Sequence, residues 1–252
     1  MFAILGALVC GAVVGLLVGL TGIGGILIPP FMIILFGMDT HLAMGTSMAS
    51  FLPSCMLAIW VHARCGNIAW PQAVPLSAAG VVCVFLGTEL KAYSPGVVLN
   101  LVLAVLVIAV GAMAFRTAPR PADAPGRGTR LGRLSPATRL GLLGGAVGVL
   151  SGLTGAGGPV LTVPAMIAMG YLPLQAIAAG MVYALAVSTA GTVGNALHAS
   201  VDFTLAALCG VGQVAGVWGG LVLARSLRAG LLRHLVGAVC VLTGVGILVR
   251  TL

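Results

Sequence analysis

The chain has 252 residues, 60% of them hydrophobic and 6% charged, with 12 Lys+Arg against 4 Asp+Glu and a formal net charge of +8. An ordinary globular domain keeps about a quarter of its residues charged to wet its surface, so a mean hydropathy of +1.19 excludes a soluble enzyme and a nucleic-acid-binding module alike. No stretch alternates apolar and polar residues as an outer-membrane barrel would, and the other backbone that satisfies its own hydrogen bonds in lipid is the helix. The expectation is an all-α, polytopic membrane protein.

From the N-terminus, the first nearly uncharged run covers 2–20. No basic residue precedes it, and Val9 before Cys10 fits a lipoprotein cleavage site poorly, so it is expected to be a retained first span. Further runs follow at 23–36, 42–61, 73–90 and 97–115. An Arg-rich stretch at 116–139 carries Pro119, Pro121, Pro125 and Pro136, and five more runs come after it, at 140–153, 159–169, 174–197, 203–224 and 231–249. The chain thus divides into a first membrane repeat (1–115), a basic cytoplasmic linker (116–139) and a second repeat (140–252). A spanning helix needs roughly 20 residues, so the second run of each half is short. Both short runs follow a glycine cluster and contain proline. Cys10, Cys55, Cys83, Cys209 and Cys240 lie inside apolar runs without CxxC spacing and read as small hydrophobes.

The halves repeat one another. Residues 19–25, GLTGIGG, match residues 152–158, GLTGAGG, at six of seven positions with an offset of 133. The register persists at Gly37 and Gly170, Trp70 and Phe203, and Gly87 and Gly220. Lys and Arg accumulate on the cytoplasmic side of short loops. If every run crosses, the basic loops at Arg64, at 116–139 and at 225–233 all fall inside; if the short runs dip and return, the last falls outside. Five crossings per half are therefore expected, with both termini outside. An odd number inverts one repeat against the other about an axis in the membrane plane, a common construction of secondary transporters.

The glycine clusters are the candidate binding elements. Thr21, Gly22, Gly24 and Gly25 in the first half, and Thr154, Gly155, Gly157 and Gly158 in the second, offer backbone that can unwind and approach a ligand closely. Each cluster opens a short helix, whose N-terminus carries unpaired N–H donors and about half a positive charge, so two such ends facing one another would hold an oxyanion without Lys or Arg. Gly11, Gly15 and Gly19, and Gly212, Gly216 and Gly220, follow the spacing of helix-packing stripes instead. Thr46 and Ser47, with Ser50, form a second polar cluster, and Asn195 and Gln213 are polar enough to be expected in the protein interior, lining the path or bonding between helices.

Asp39, His41, His62, Arg64, Lys91, Asp202 and His234 lie near predicted span ends and read as solvated topology signals. Glu89 and Lys91 read as a pair snorkelling to the interface. No constellation for intramembrane hydrolysis is present, and only His62 and His198 could ligate a haem, so the chain is expected not to be an enzyme and to need no cofactor.

At these residues the sequence resembles the TauE/SafE family of sulfite and organosulfonate exporters. The likeness rests on GLTGIGG followed by Pro29 and Pro30, the Leu-Phe-Gly37 turn, Ala-Met-Gly-Thr-Ser47 and Gly66-Asn-Ile-Ala-Trp70, with GLTGAGG, Val163-Pro164 and Val-Asp-Phe203 repeating parts of the series. The second half departs from the pattern with Gly180-Met-Val in place of Gly-Thr-Ser and Ser200 in place of glycine. The resemblance implies a transporter of small sulfur-containing anions, mostly outward, across the bacterial inner membrane. Its partners would be the anion and the lipid bilayer, with no nucleic acid; a homodimer is left open. The alternatives are a non-transporting membrane module, haem-bearing or structural, and an anion channel.

Overall fold

The computed structural model describes residues 2–21, 24–116, 135–223 and 229–251. These residues form α1 (Phe2–Thr21), a 3₁₀ turn (Gly24–Leu27), α2 (Ile28–Phe36), α3 (Thr40–Arg64), α4 (Trp70–Tyr93), α5 (Gly96–Arg116), α6 (Pro136–Thr154), α7 (Pro159–Ala168), α8 (Pro173–Leu197), α9 (Phe203–Leu223) and α10 (Ala229–Thr251). The protein is an all-α, multi-pass membrane protein. Among the described residues, five helices, α3, α4, α6, α8 and α9, are long and apolar enough by themselves to cross a membrane. By contrast α2 and α7, of 9 and 10 residues, rise only about 15 Å, half of a hydrocarbon core.

The helices overrun the apolar stretches where polar residues make good ends. Asp39 begins α3, its carboxylate accepting from the His41 N–H at 2.9 Å, and Ser135 begins α6, its hydroxyl accepting from the Thr138 N–H at 3.2 Å. Proline occupies the first turn of α2, α4, α6, α7 and α8, where its missing N–H costs nothing. Gly37 stops α2 in the left-handed conformation, at φ 62°.

Packing joins helices from opposite halves. The parallel pair α1/α9 is drawn together by the glycine stripes: a Cβ on Gly11 or Gly15 would stand 2.2 or 2.3 Å from a carbonyl oxygen of α9, and one on Gly216 would stand 2.1 Å from a carbonyl of α1. Gly19 and Gly220 meet backbone to backbone, and Gly152 and Gly87 make the same contact in the parallel pair α6/α4. Every principal pairing has its counterpart when the halves are exchanged: α1/α9 with α6/α4, α3/α9 with α8/α4, and α2/α3 with α7/α8. The equivalent helices α3 and α8 pack on one another, as do α5 and α10.

Those last two pairs run antiparallel. Gly45, early in α3, faces Asn195, late in α8; Gly191 faces Met48; and Cys55 lines one cavity with Ala184 and Met181. Likewise Gly111 of α5 faces Gly237 and Val241, while Gly244 faces Ala104 and Ile108. Together with the parallel α1/α9 and α4/α6, these directions are those of a chain that reverses at every helix, α2 and α7 included.

Candidate functional site

Both glycine clusters break the chain where a long helix gives way to a short one. After α1 the 3₁₀ turn that starts at Gly24 leads into α2; Gly22 and the side chain of Thr21 lie outside the described residues. In the second half Gly155, at φ +69°, ends α6, and Gly158, at φ +84°, begins α7. These angles suit glycine, because an L side chain is strained there. Gly155 also needs to be bare, since a Cβ would stand 2.3 Å from the Met44 carbonyl oxygen.

The two clusters converge on Phe51 of α3. A Cβ on Gly25 would stand 2.8 Å from Cε1 and Cζ of its ring, and one on Gly157 would stand 2.9 Å from Cδ2, on the opposite edge. The ring is 4% exposed. Gly25, Phe51 and Gly157 line a small cavity with Val18, Met181 and Ala184, of ≈ 10 Å³, room for about one water. At the start of α7 Pro159 has no N–H to give, and the Leu161 and Thr162 N–H groups both donate to the Gly158 carbonyl at 3.3 Å. Thr154, the flanking hydroxyl of this cluster, is buried and donates to the Leu150 carbonyl at 2.7 Å, the back-bonding usual for Thr in a helix.

The other expected polar residues fasten α3 to its neighbours. Ser47 shares its hydroxyl proton between the carbonyl oxygens of Met44 (2.7 Å) and Gly155 (2.8 Å), so it touches the second glycine cluster directly. Thr46 accepts from the Asp202 N–H at 2.9 Å, and the Asp202 carboxylate caps α9 by accepting from the Thr204 and Leu205 N–H groups, each at 3.0 Å. Gln213 of α9 is clamped against α3: its amide N donates to Ser50 Oγ at 2.9 Å, and its carbonyl oxygen accepts from Ser54 Oγ at 3.2 Å. Asn195 of α8 donates to the Gly191 carbonyl at 2.7 Å, and its side-chain oxygen accepts from the Lys91 ammonium.

Lys91 is a correction to the sequence reading. It is 1% exposed and points inward from the last turn of α4, donating also to the His41 carbonyl at 3.1 Å. The expected snorkelling pair with Glu89 does not form; Glu89 instead meets His198, Oε1 to Nε2 at 3.0 Å. A signal for this was present, because Gly80, Val84, Thr88 and Lys91 recur at helical spacing on one stripe, and the first three are buried against other helices. Phe51 escaped notice for a different reason: one aromatic in an apolar run carries no mark of what it will face. Tyr183 is comparable, buried between Gly80 and Gly158 with its hydroxyl donating to the Gly144 carbonyl at 2.9 Å.

By sequence the chain is similar to known membrane transporters. Residues 7–247 match the family described as Sulfite exporter TauE/SafE. A probable membrane transporter protein of Xylella fastidiosa strain 9a5c is 32% identical over 235 residues, which cover 91% of this chain and 87% of that protein. The probable membrane transporter protein YdhB of Bacillus subtilis is 25% identical over 214 residues, 82% of this chain and 84% of its own length. No solved structure matches the chain significantly. A family match over nearly the whole length, with a relative 32% identical across 91% of the chain, means that the chain belongs to the TauE/SafE family of membrane transporters.

Proposed function

We propose that this transporter carries small sulfur-containing anions, sulfite and organosulfonates, out of the cell by alternating access between two inverted halves. The observation that carries the reading is the convergence of one glycine break from each half on the two edges of Phe51. Gly24 and Gly25 with Thr21 and Gly22, and Gly157 and Gly158 with Thr154 and Gly155, then form the anion's central site, and its charge is met by backbone N–H groups and helix ends. Thr46, Ser47, Asn195 and Gln213 hold the surrounding helices in register. The inverted arrangement is supported by the antiparallel course of the equivalent helices α3 and α8. Ten crossings are supported by helix directions that alternate along the chain.

The small cavity corresponds to an occluded state, in which Phe51 fills the space between the two breaks. Rocking α3 against α8 moves the ring away from one cluster or the other and opens the site to one side. An inside-negative potential itself favours outward movement, since each charge is worth about 2.3 kcal/mol per 100 mV. Flux of radiolabelled sulfite in proteoliposomes, with the potential clamped at both signs and with ethanesulfonate as competitor, tests the reading. Saturable efflux that ethanesulfonate inhibits is expected. Transport of a cation, indifferent to sulfur oxyanions, would refute it.

A further inference from the structure

Lys91 poses a problem of charge. Its ammonium is buried where α4 ends against the start of α3 and the end of α8, and its partners are both neutral: the Asn195 side-chain oxygen and the His41 carbonyl. The described carboxylates are engaged elsewhere. Glu89 meets His198, Asp202 caps α9 and Asp39 caps α3; Asp39 is the one whose charge reaches Lys91, from beyond ion-pair distance. Among the described residues the ammonium therefore has no ion-pair partner, and removing an unpaired charge from water is costly. An ammonium has three donors, and two are used.

A second feature leads to it. On α8, Ala184, Ser188, Thr192 and Asn195 recur at helical spacing on one stripe, which begins at the cavity beside Phe51 and ends at Lys91, about 16 Å along the helix. Ser188 and Thr192 are buried and their hydroxyls have no hydrogen-bond partner. Unpaired hydroxyls in such a place are rare in folded proteins. Here they join the cavity to a buried cation.

The geometry points to Lys91 as the charged anchor of a second anion station, in which the Ser188 and Thr192 hydroxyls donate to an oxyanion on its way out from the central site and the oxyanion displaces the Asn195 side-chain oxygen from the ammonium. This rests on the anion-transport reading and adds to it a residue outside the glycine clusters. Asn195 is then a placeholder: a neutral oxygen holds the ammonium in position but yields to a charged one.

The test uses the purified full chain in detergent, with sulfite and ethanesulfonate as probes. Its readouts are the anion concentration giving half of the maximal thermal stabilisation and saturable flux in liposomes. Lys91→Met, which keeps length and removes charge, is expected to raise the half-saturating concentration at least tenfold, while Lys91→Arg stays within about threefold of the unmodified chain. Should Lys91→Met fail to fold, Asn195→Asp decides independently: it supplies a built-in counter-ion, keeps the ammonium paired, and is expected to weaken the anion at least tenfold by competing with it. Unchanged half-saturation in Asn195→Asp, or in a folded Lys91→Met, overturns the station and leaves the central site standing. An unmodified chain that responds to neither anion overturns the anion-transport reading itself, and the station with it.

Discussion

Placing a methyl on each side of Phe51 tests whether the ring is the element both glycine breaks close upon. Carbon atoms pack at about 3.5 Å, whereas a Cβ at position 157 would stand 2.9 Å from Cδ2 and 3.2 Å from Cε2. In Gly157→Ala the ring must therefore give way by about 0.5 Å. The ring can yield toward Gly25, which presents no Cβ to it, so the cost falls at the low end for overpacking, about 1 kcal/mol. Gly25→Ala is the mirror case, with Cε1 and Cζ at 2.8 Å. In the double variant the ring has neither side to yield to and must leave its rotamer, adding about 0.5–1.5 kcal/mol for a 30° departure. The two substitutions are thus expected to couple unfavourably by about 1 kcal/mol, and Phe51→Leu added to the double variant should recover most of the loss. Denaturation in mixed micelles measures the free energies, and sulfite flux in liposomes shows whether rates follow them. Additivity within about 0.5 kcal/mol, or no recovery with Phe51→Leu, would refute the argument.

The contact between Gly152 and Gly87 leaves no room for a side chain, with a Cβ at 152 only 2.5 Å from the Val84 carbonyl oxygen and 2.8 Å from Gly87 Cα; Gly152→Ala should therefore cost about 1–3 kcal/mol by parting α4 from α6, read as a lower unfolding midpoint, and a midpoint equal to that of the unmodified chain would show that these helices separate freely. For topology, Cys65 is already an exposed thiol in the connection after Arg64. A membrane-impermeant maleimide is expected to label it in inside-out vesicles and not in intact cells, while a cysteine introduced at Ser94 shows the opposite; labelling of both from one side contradicts a membrane-crossing α4.

How much of this could be read from the sequence depended on whether the relevant property is periodic along the chain. Helix positions were legible, because lipid demands long apolar runs and the caps are local: Asp39, Ser135 and the first-turn prolines mark boundaries by their own chemistry. The packing role of Gly11, Gly15 and Gly19 was legible for the same reason, as was its partner stripe at Gly212, Gly216 and Gly220. The equivalent stripe in α6, Gly144, Gly148 and Gly152, follows from the repeat. What a side chain meets across the bundle was not legible. Ser47 and Thr46 are neighbours in sequence, yet one reaches the Gly155 carbonyl and the other the N–H of Asp202, a difference of 100° around α3 that only the neighbouring helices give meaning to. Lys91 illustrates the limit best. A cation one turn from a helix end reads as a topology signal unless its stripe is known to face α8 rather than the membrane.

The pairing of α1 with α9 also bears on how the protein is made. Gly11 packs on the Cys209 carbonyl, roughly 200 residues further along, so at 5–20 residues per second about 10–40 s of synthesis pass before the partner surface exists. Meanwhile the glycine face of α1 is open. By contrast α6 finds α4 already waiting when it emerges. The partners become available in the order in which the second-half helices emerge: α4/α6 first, α3/α8 next, α1/α9 after it and α5/α10 last. A ribosome stalled before α9 would leave α1 in the membrane with its glycine face still lacking the carbonyls of Cys209, Gln213 and Val217 that it packs on.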